Sequence, residues 1–402
     1  MKKVILKSTL AVVLYYRNKV LYMKTVQRIL ALALASTALM SCGKAAQEKE
    51  SESCEISVNW DGVEKDAPFA DEFTDFEIIP LGSTQDCLLG NPIKLVVTDS
   101  AFYVLDYAQN QRILAFSPDG SYLGKIGESG HSSSEYVSIQ NFNANEKGDS
   151  VAVIDQDCIK LYDRTGHFLS SKKAVTAYGG DDILLVPGGF YTAMFHRFQD
   201  NHMAVFYDLH SGENKAFIDV DTDVIGHNHH AANLHALQRD GSKICLLDVF
   251  SSTFFLLNNG QSGAISRYTL TSPGMMTEDK ARELVNNGNP TDVPDEAVNS
   301  YIFAEGAIWG TMLRSHRQYD FHLSLDDGEL TLYSHTPMNY DFAAYHGGYF
   351  YKLIPAEHLL DIMNVAKPYM QDIHDMLKDA FTPLTDSIKE DDNFYILRMR
   401  LR

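Results

Sequence analysis

His227, His229 and His230 stand within four residues of one another, and His235 follows five residues later. Imidazoles this close are the ligand type that zinc and other divalent metals take. The same spacing also suits a polar, exposed loop. No HExxH pair and no second histidine cluster at a matching position accompanies them. The reading therefore expects no metal and no cofactor, and names His229, His230 and His235 as the residues that would hold a metal if one bound. A second group is Arg314, His316, Arg317 and Tyr319, just after the apolar run 307–312. Guanidinium and aromatic side chains together can greet a carboxylate or a sugar, or they can simply decorate a hairpin turn. His196 and Arg197 occupy a similar place after the run 191–195. Asp106 and Asp155 each end an aliphatic run, and carboxylates at such repeated places serve turn hydrogen bonding. No Gly-x-Ser-x-Gly elbow, Walker loop or dinucleotide glycine motif occurs in its proper setting. No catalytic residue is assigned.

These residues need a frame, and the chain repeats itself to provide one. Phe102 to Asp106 and Arg112 to Leu123 read like Val151 to Asp155 and Ile159 to Leu169. Further copies run from Met203 to Gly212, from Ser252 to Gly260 and from Tyr319 to Gly328. The turn glycines fall at 120, 166, 212, 260 and 328, with spacings of 46, 46, 48 and 68. The long interval holds an extra segment, 277–299. Several short strands per period of 40 to 50 residues signal β-propeller blades. A sixth blade is expected around Tyr340 to Ile354, completed by strands from both ends of the chain (near Ile78 and over Asn393 to Arg402), because an open ring would leave adhesive sheet edges. The predicted fold is all-β: a six-bladed propeller with a short helical insertion from Thr277 and helices over 355–366 and 368–380 before the closing strand.

The N-terminus reads as an address. From Met23, taken as the start of the chain proper, a basic stretch leads into the apolar run Ile29 to Met40 and then Ser41 and Cys42. That is the pattern of a secretory signal, too short for a membrane span. Residues 1–41 are expected to be signal peptide, 42–72 a lipidated cysteine and flexible tether, and 73–402 the propeller. Cys54, Cys87, Cys158 and Cys245 form no CxxC pair. One bridge between Cys54 and Cys87, or four thiols, would fit an oxidising compartment. The whole chain has 34 basic and 53 acidic residues, a net charge of −19. Such a chain is ill suited to nucleic acid, whose phosphates demand Lys and Arg.

Leu39, Met40, Ser41 and Cys42 resemble a bacterial lipoprotein box, which implies that Cys42 carries lipid. Phe76 to Gly90, Leu123 to Gly130 and then Glu135 and Tyr136 resemble the uncharacterised six-bladed propeller lipoproteins of Gram-negative anaerobes, distant kin of NHL-repeat propellers. Where that family has Gly-Pro-Gly before Glu-Tyr, this chain has Ser132, Ser133 and Ser134. The resemblance implies the fold and an outer-membrane anchorage, periplasmic or surface-exposed. It implies little about activity, since propellers host many roles; NHL-like propellers do include a zinc lyase. The expected function is a binding module for a glycan, peptide or envelope protein, anchored to the membrane through Cys42. The alternative is a propeller enzyme, a metal-assisted lyase or hydrolase working at the central channel.

Overall fold

Six antiparallel sheets succeed one another along the chain in a computed structural model. It describes residues 53–402 except 108–110, 174–180, 194–201, 220–234, 250, 259–264, 288–294 and 385–387. Blade 1 consists of Pro92–Val97, Phe102–Asp106, Arg112–Phe116 and Tyr122–Ile126, in that order from the inside outward. Blades 2 to 5 repeat this layout, beginning with inner strands Asn141–Ala144, Asp182–Val186, Leu237–Asp240 and Glu296–Ala304. Each inner strand touches that of the next blade, and Ala344–His346 of blade 6 touches the inner strand of blade 1. The ring is closed.

Closure uses both ends of the chain, as the sequence predicts. Tyr395–Leu401 is the third strand of blade 6 and Phe73–Pro80 its outermost, with Leu397 opposite Ile78. Tyr395, Ile396, Leu397 and Met399 are all buried, because blades stack on both faces of a strand. Pairing the two ends removes the free edge that would otherwise template aggregation.

The glycine turns join the third and fourth strands of successive blades. Gly120, Gly166, Gly212 and Gly328 have φ of 85°, 83°, 75° and 74°, a region glycine enters without steric cost; Gly260 lies outside the described residues. A Cβ on Gly120 would stand 1.9 Å from the Pro80 carbonyl oxygen, and one on Gly166 2.4 Å from that of Lys125. These two turns press on the outermost strand of the blade before them.

Helix α1 (Phe69–Glu72) precedes the closing strand and α2 (Glu278–Asn286) lies in the insertion between blades 4 and 5. Helices α3 (Ala356–Met363) and α4 (Gln371–Phe381) interrupt blade 6. Leu359 and Ile362 of α3, with Ile373, Leu377 and Phe381 of α4, bury against the cluster that holds Phe73, Trp309 and Phe350. Fully burying such side chains stabilises by about 1.5–3 kcal/mol each. Among the described residues no helix is long and apolar enough to cross a membrane.

One boundary differs from expectation. The tether expected over 42–72 does not reach that far: Ser53–Ser57 adds a fifth, parallel strand to blade 4 and Glu64–Asp66 does the same for blade 5. Ile56 and Val58 are buried, and Val58 N–H donates to the Thr271 carbonyl. This strap satisfies backbone groups that an outer strand would leave to water. The four cysteines are free thiols: Cys87 and Cys245 are buried, Cys54 and Cys158 half-buried.

Candidate functional site

The inner strands of all six blades line the central channel, and their sequences carry a few polar residues in otherwise apolar runs. Lys94 stands between Ile93 and Leu95; Asp182 heads the run Ile183 to Val186; Asn141 and Asn143 flank Phe142. The ring brings three of these together. Lys94 Nζ donates to Asp182 Oδ1 at 2.7 Å and to Asn141 Oδ1 at 2.9 Å. Asp182 also accepts the Ile183 and Leu237 amides, each at 2.8 Å. Its carboxylate thus ties blades 1, 3 and 4, while Asn141 Nδ2 ties blade 2 to the Asp181 carbonyl at 2.8 Å. Burial pushes the Asp182 carboxyl up and the Lys94 ammonium down, and their mutual contact opposes both shifts. A buried charge without such a partner would cost several kcal/mol.

On either side of this belt the channel widens. Lys94 and His235 line both cavities. The smaller, about 110 Å³, opens where the first and second strands of each blade join. Polar contacts guard it: Arg239 pairs with Glu146 at 3.0 Å, and His346 Nε2 stands 2.9 Å from Asp99 Oδ1. Tyr345 O–H donates to Glu305 nearby. The larger, about 260 Å³, opens on the side where one blade's outer strand leads into the next blade's inner strand. Asn299, Ser300 and Asp341 supply polar groups there, against Tyr301, Phe342 and Leu353. Burial, reinforced by the Lys94 charge, lowers His235 to about 3, so its imidazole is neutral at ordinary pH. A cup of mixed polar and apolar lining, closed below by a fixed ion pair, is the geometry of a small-ligand site.

The predicted residues fall into three sets. His196, Arg197, His227, His229, His230 and Cys42 lie outside the described residues. His235 borders both channel cavities. Among the described residues no group of three or more His, Cys, Asp or Glu side chains could hold a metal ion. Arg314, His316, Arg317 and Tyr319 share one hairpin of blade 5, with Ser315 and His316 at its tip in the left-handed region. His316 and Arg317 are exposed. Arg314 and Tyr319 instead gather around Trp60 of the strap. The guanidinium lies 4.7 Å from the Trp60 ring centroid, and the Tyr319 ring meets it edge-on at 5.2 Å. Glu296 joins them, accepting from Trp60 Nε1 at 2.8 Å and Arg314 Nε at 3.1 Å. The cluster expected to greet a ligand fastens the strap to blade 5.

The repeat aspartates do the turn work expected of them. Asp106 accepts the Gly90 and Asn91 amides at 3.1 and 2.7 Å and pairs with Arg112. Asp155 accepts Val137 and Ser138 at 3.1 and 3.0 Å and pairs with Lys160 at 3.0 Å. Each holds the loop that enters its own blade.

A family model described as a domain of unknown function (DUF4934) matches residues 56–400 of the chain. The chain belongs to the DUF4934 family. No curated protein matches it. Its structure is similar to that of a candidate exported protein from Bacteroides fragilis, with a TM-score of 0.65 at 15% identity. That likeness covers 87% of this chain and 99% of the other, and shows a shared fold. A DUF4221 member from Bacteroides vulgatus aligns at a TM-score of 0.49 and 8% identity, over 83% and 99% of the two chains.

In this DUF4934 chain, sequence reasoning missed Lys94, Asp182 and Asn141, and also Asn299, Ser300 and Asp341. The signal for the first three was present: a charge or amide embedded in the apolar run of an inner strand. Nothing local marked the other three.

Proposed function

We propose that the protein is a lipid-anchored propeller outside the cytoplasm that binds a glycan, peptide or protein partner at the wider mouth of its channel, without catalysis. The observation that carries this reading is the 260 Å³ cup with its mixed lining. The belt beneath it spends its charges on one another, Lys94 on Asp182, so it offers structure to a ligand rather than a reactive acid and base. Anchorage rests on Cys42 directly behind Ser41 at the end of the apolar run. The exported character given to the Bacteroides fragilis relative supports a place beyond the inner membrane, and the repeat pattern supports kinship with NHL-type propellers.

Asn299 and Asp341 are exposed at the mouth. Asn299→Arg, which fills the cup from its rim, should abolish binding found on a glycan or peptide array while the thermal midpoint stays within a few degrees. Unchanged binding would move the site elsewhere. Cys42→Ala should shift the protein from membrane to soluble fractions. The enzyme reading draws on His235 at the cup and on three further histidines in the segment leading to it. A stoichiometric metal in purified protein, lost on replacing His229 and His230, would favour that reading.

A further inference from the structure

The charges at the wider mouth do not balance. Lys94 is neutralised by Asp182, and His235 is uncharged. Asp341 lines the cup and its carboxylate is open to water. The buried ammonium of Lys352 sits behind it on the Asn339 and Asp341 carbonyls. There it faces two carboxylates, Asp341 and Asp320, so one cation answers two negative charges. The neighbouring polar atoms lean the same way. Asn299 spends its Nδ2 on Thr311 Oγ1 at 3.1 Å, leaving its amide oxygen to accept. Ser300 Oγ stands 2.8 Å from the same Thr311 hydroxyl and keeps a lone pair. The rim therefore offers the Asn299 amide oxygen with one remaining N–H, the Ser300 hydroxyl and the Asp341 carboxylate, while Tyr301, Phe342 and Leu353 supply apolar wall. The volume suits one sugar ring.

We infer that the wider channel mouth selects an amino sugar, with a free ammonium placed on Asp341 and hydroxyls on Asn299 and Ser300. This rests on the channel-mouth reading above and gives it a ligand class. An ammonium on a carboxylate makes a charge-assisted hydrogen bond, stronger than the neutral bonds a hydroxyl would make. Asp341 is open to water, so the preference is moderate and weakens with salt. A carboxylated sugar would set like charges together.

The test is titration of the full chain with glucosamine, glucose, glucuronate and glycinamide, followed by NMR at low salt, below the pKa of the sugar ammonium. Glucosamine should bind about three- to tenfold tighter than glucose, and glucuronate weakest. Asp341→Asn should bring glucosamine and glucose to the same affinity, and Asn299→Arg should abolish both. Equal affinities in the parent protein, or a preference untouched by Asp341→Asn, would overturn the inference while leaving the mouth a binding site. Glycinamide binding as tightly as glucosamine would make the ligand a peptide amine and overturn the sugar assignment. Failure of every probe to bind at millimolar concentration would overturn the inference, and the channel-mouth reading would fall separately if array binding survived Asn299→Arg.

Discussion

Blades 1 and 2 and blades 5 and 6 are built from the same four-strand unit but are locked differently. In the first pair each blade holds its own entering loop with one aspartate and one base, Asp106 with Arg112 and Asp155 with Lys160. In the second pair the lock is aromatic and spans the chain. Phe73 packs at 5.3 Å from Phe350, 5.7 Å from Trp309 and 4.5 Å from Phe69, ring centre to ring centre. Tyr340 O–H reaches Glu72 in the same cluster. Repetition thus supplies a lock that each blade can make locally, whereas closure needs contacts between the two ends of the chain and has no local substitute.

Substitutions can break this contrast. Phe73→Ala should have the largest effect. The side chain is fully buried, and emptying such a site costs about 3–5 kcal/mol, read as a loss in urea stability. Asp106→Ala should cost less, about 2–3 kcal/mol, because the Gly90 and Asn91 amides lose their acceptor while Arg112 keeps its bonds to the Asp86 and Leu88 carbonyls. If the aspartate proved the costlier loss, the local lock would matter more than the closure.

Trp60→Ala should be milder still, about 1–2 kcal/mol, since Trp60 is half-buried. Its signature is local: faster hydrogen exchange over Ser53–Asp66 with little change in the blades. A pH-dependent effect concerns Lys352 in blade 6, whose Nζ donates to the Asn339 and Asp341 carbonyls at 2.7 and 2.8 Å. Burial lowers it to about 8, against the nearby charges of Asp341 and Asp320. Between pH 8 and the ordinary lysine value near 10.5 the unfolded chain keeps a proton that the folded chain has released. Where the unfolded state binds more protons, stability rises with pH. The stability difference between the parent protein and Lys352→Met should therefore move in the parent's favour from pH 8 to 10. A flat difference across that window would mean an unperturbed lysine.

The two regions were also unequally legible in the sequence. The third-to-fourth-strand turns were readable because Gly120, Gly166, Gly212 and Gly328 each need a backbone shape that side chains resist. Closure was readable because Tyr395 to Leu401 has a strand's apolar spacing and an exposed edge must be covered. The strap was not. Ser53–Ser57 and Glu64–Asp66 are polar and pair in parallel with distant strands, so their order comes from partners rather than propensity. For the same reason Arg314 and Tyr319 looked like a binding cluster. The ring both pack against, Trp60, is 254 residues before Arg314 in the chain. The Lys94–Asp182 pair is separated by 88 residues and becomes visible only when inner strands meet around an axis.

The central claim is a single ring sealed by pairing its own ends. Native-state hydrogen exchange on the full chain tests it most directly. Amides of Phe73–Pro80 and Tyr395–Leu401 should exchange together, and as slowly as the inner strands, because they open only when the ring does. Rapid exchange of Phe73–Pro80 while Tyr349–Ile354 stays protected would mean that the N-terminal strand is not part of blade 6, and would contradict the account.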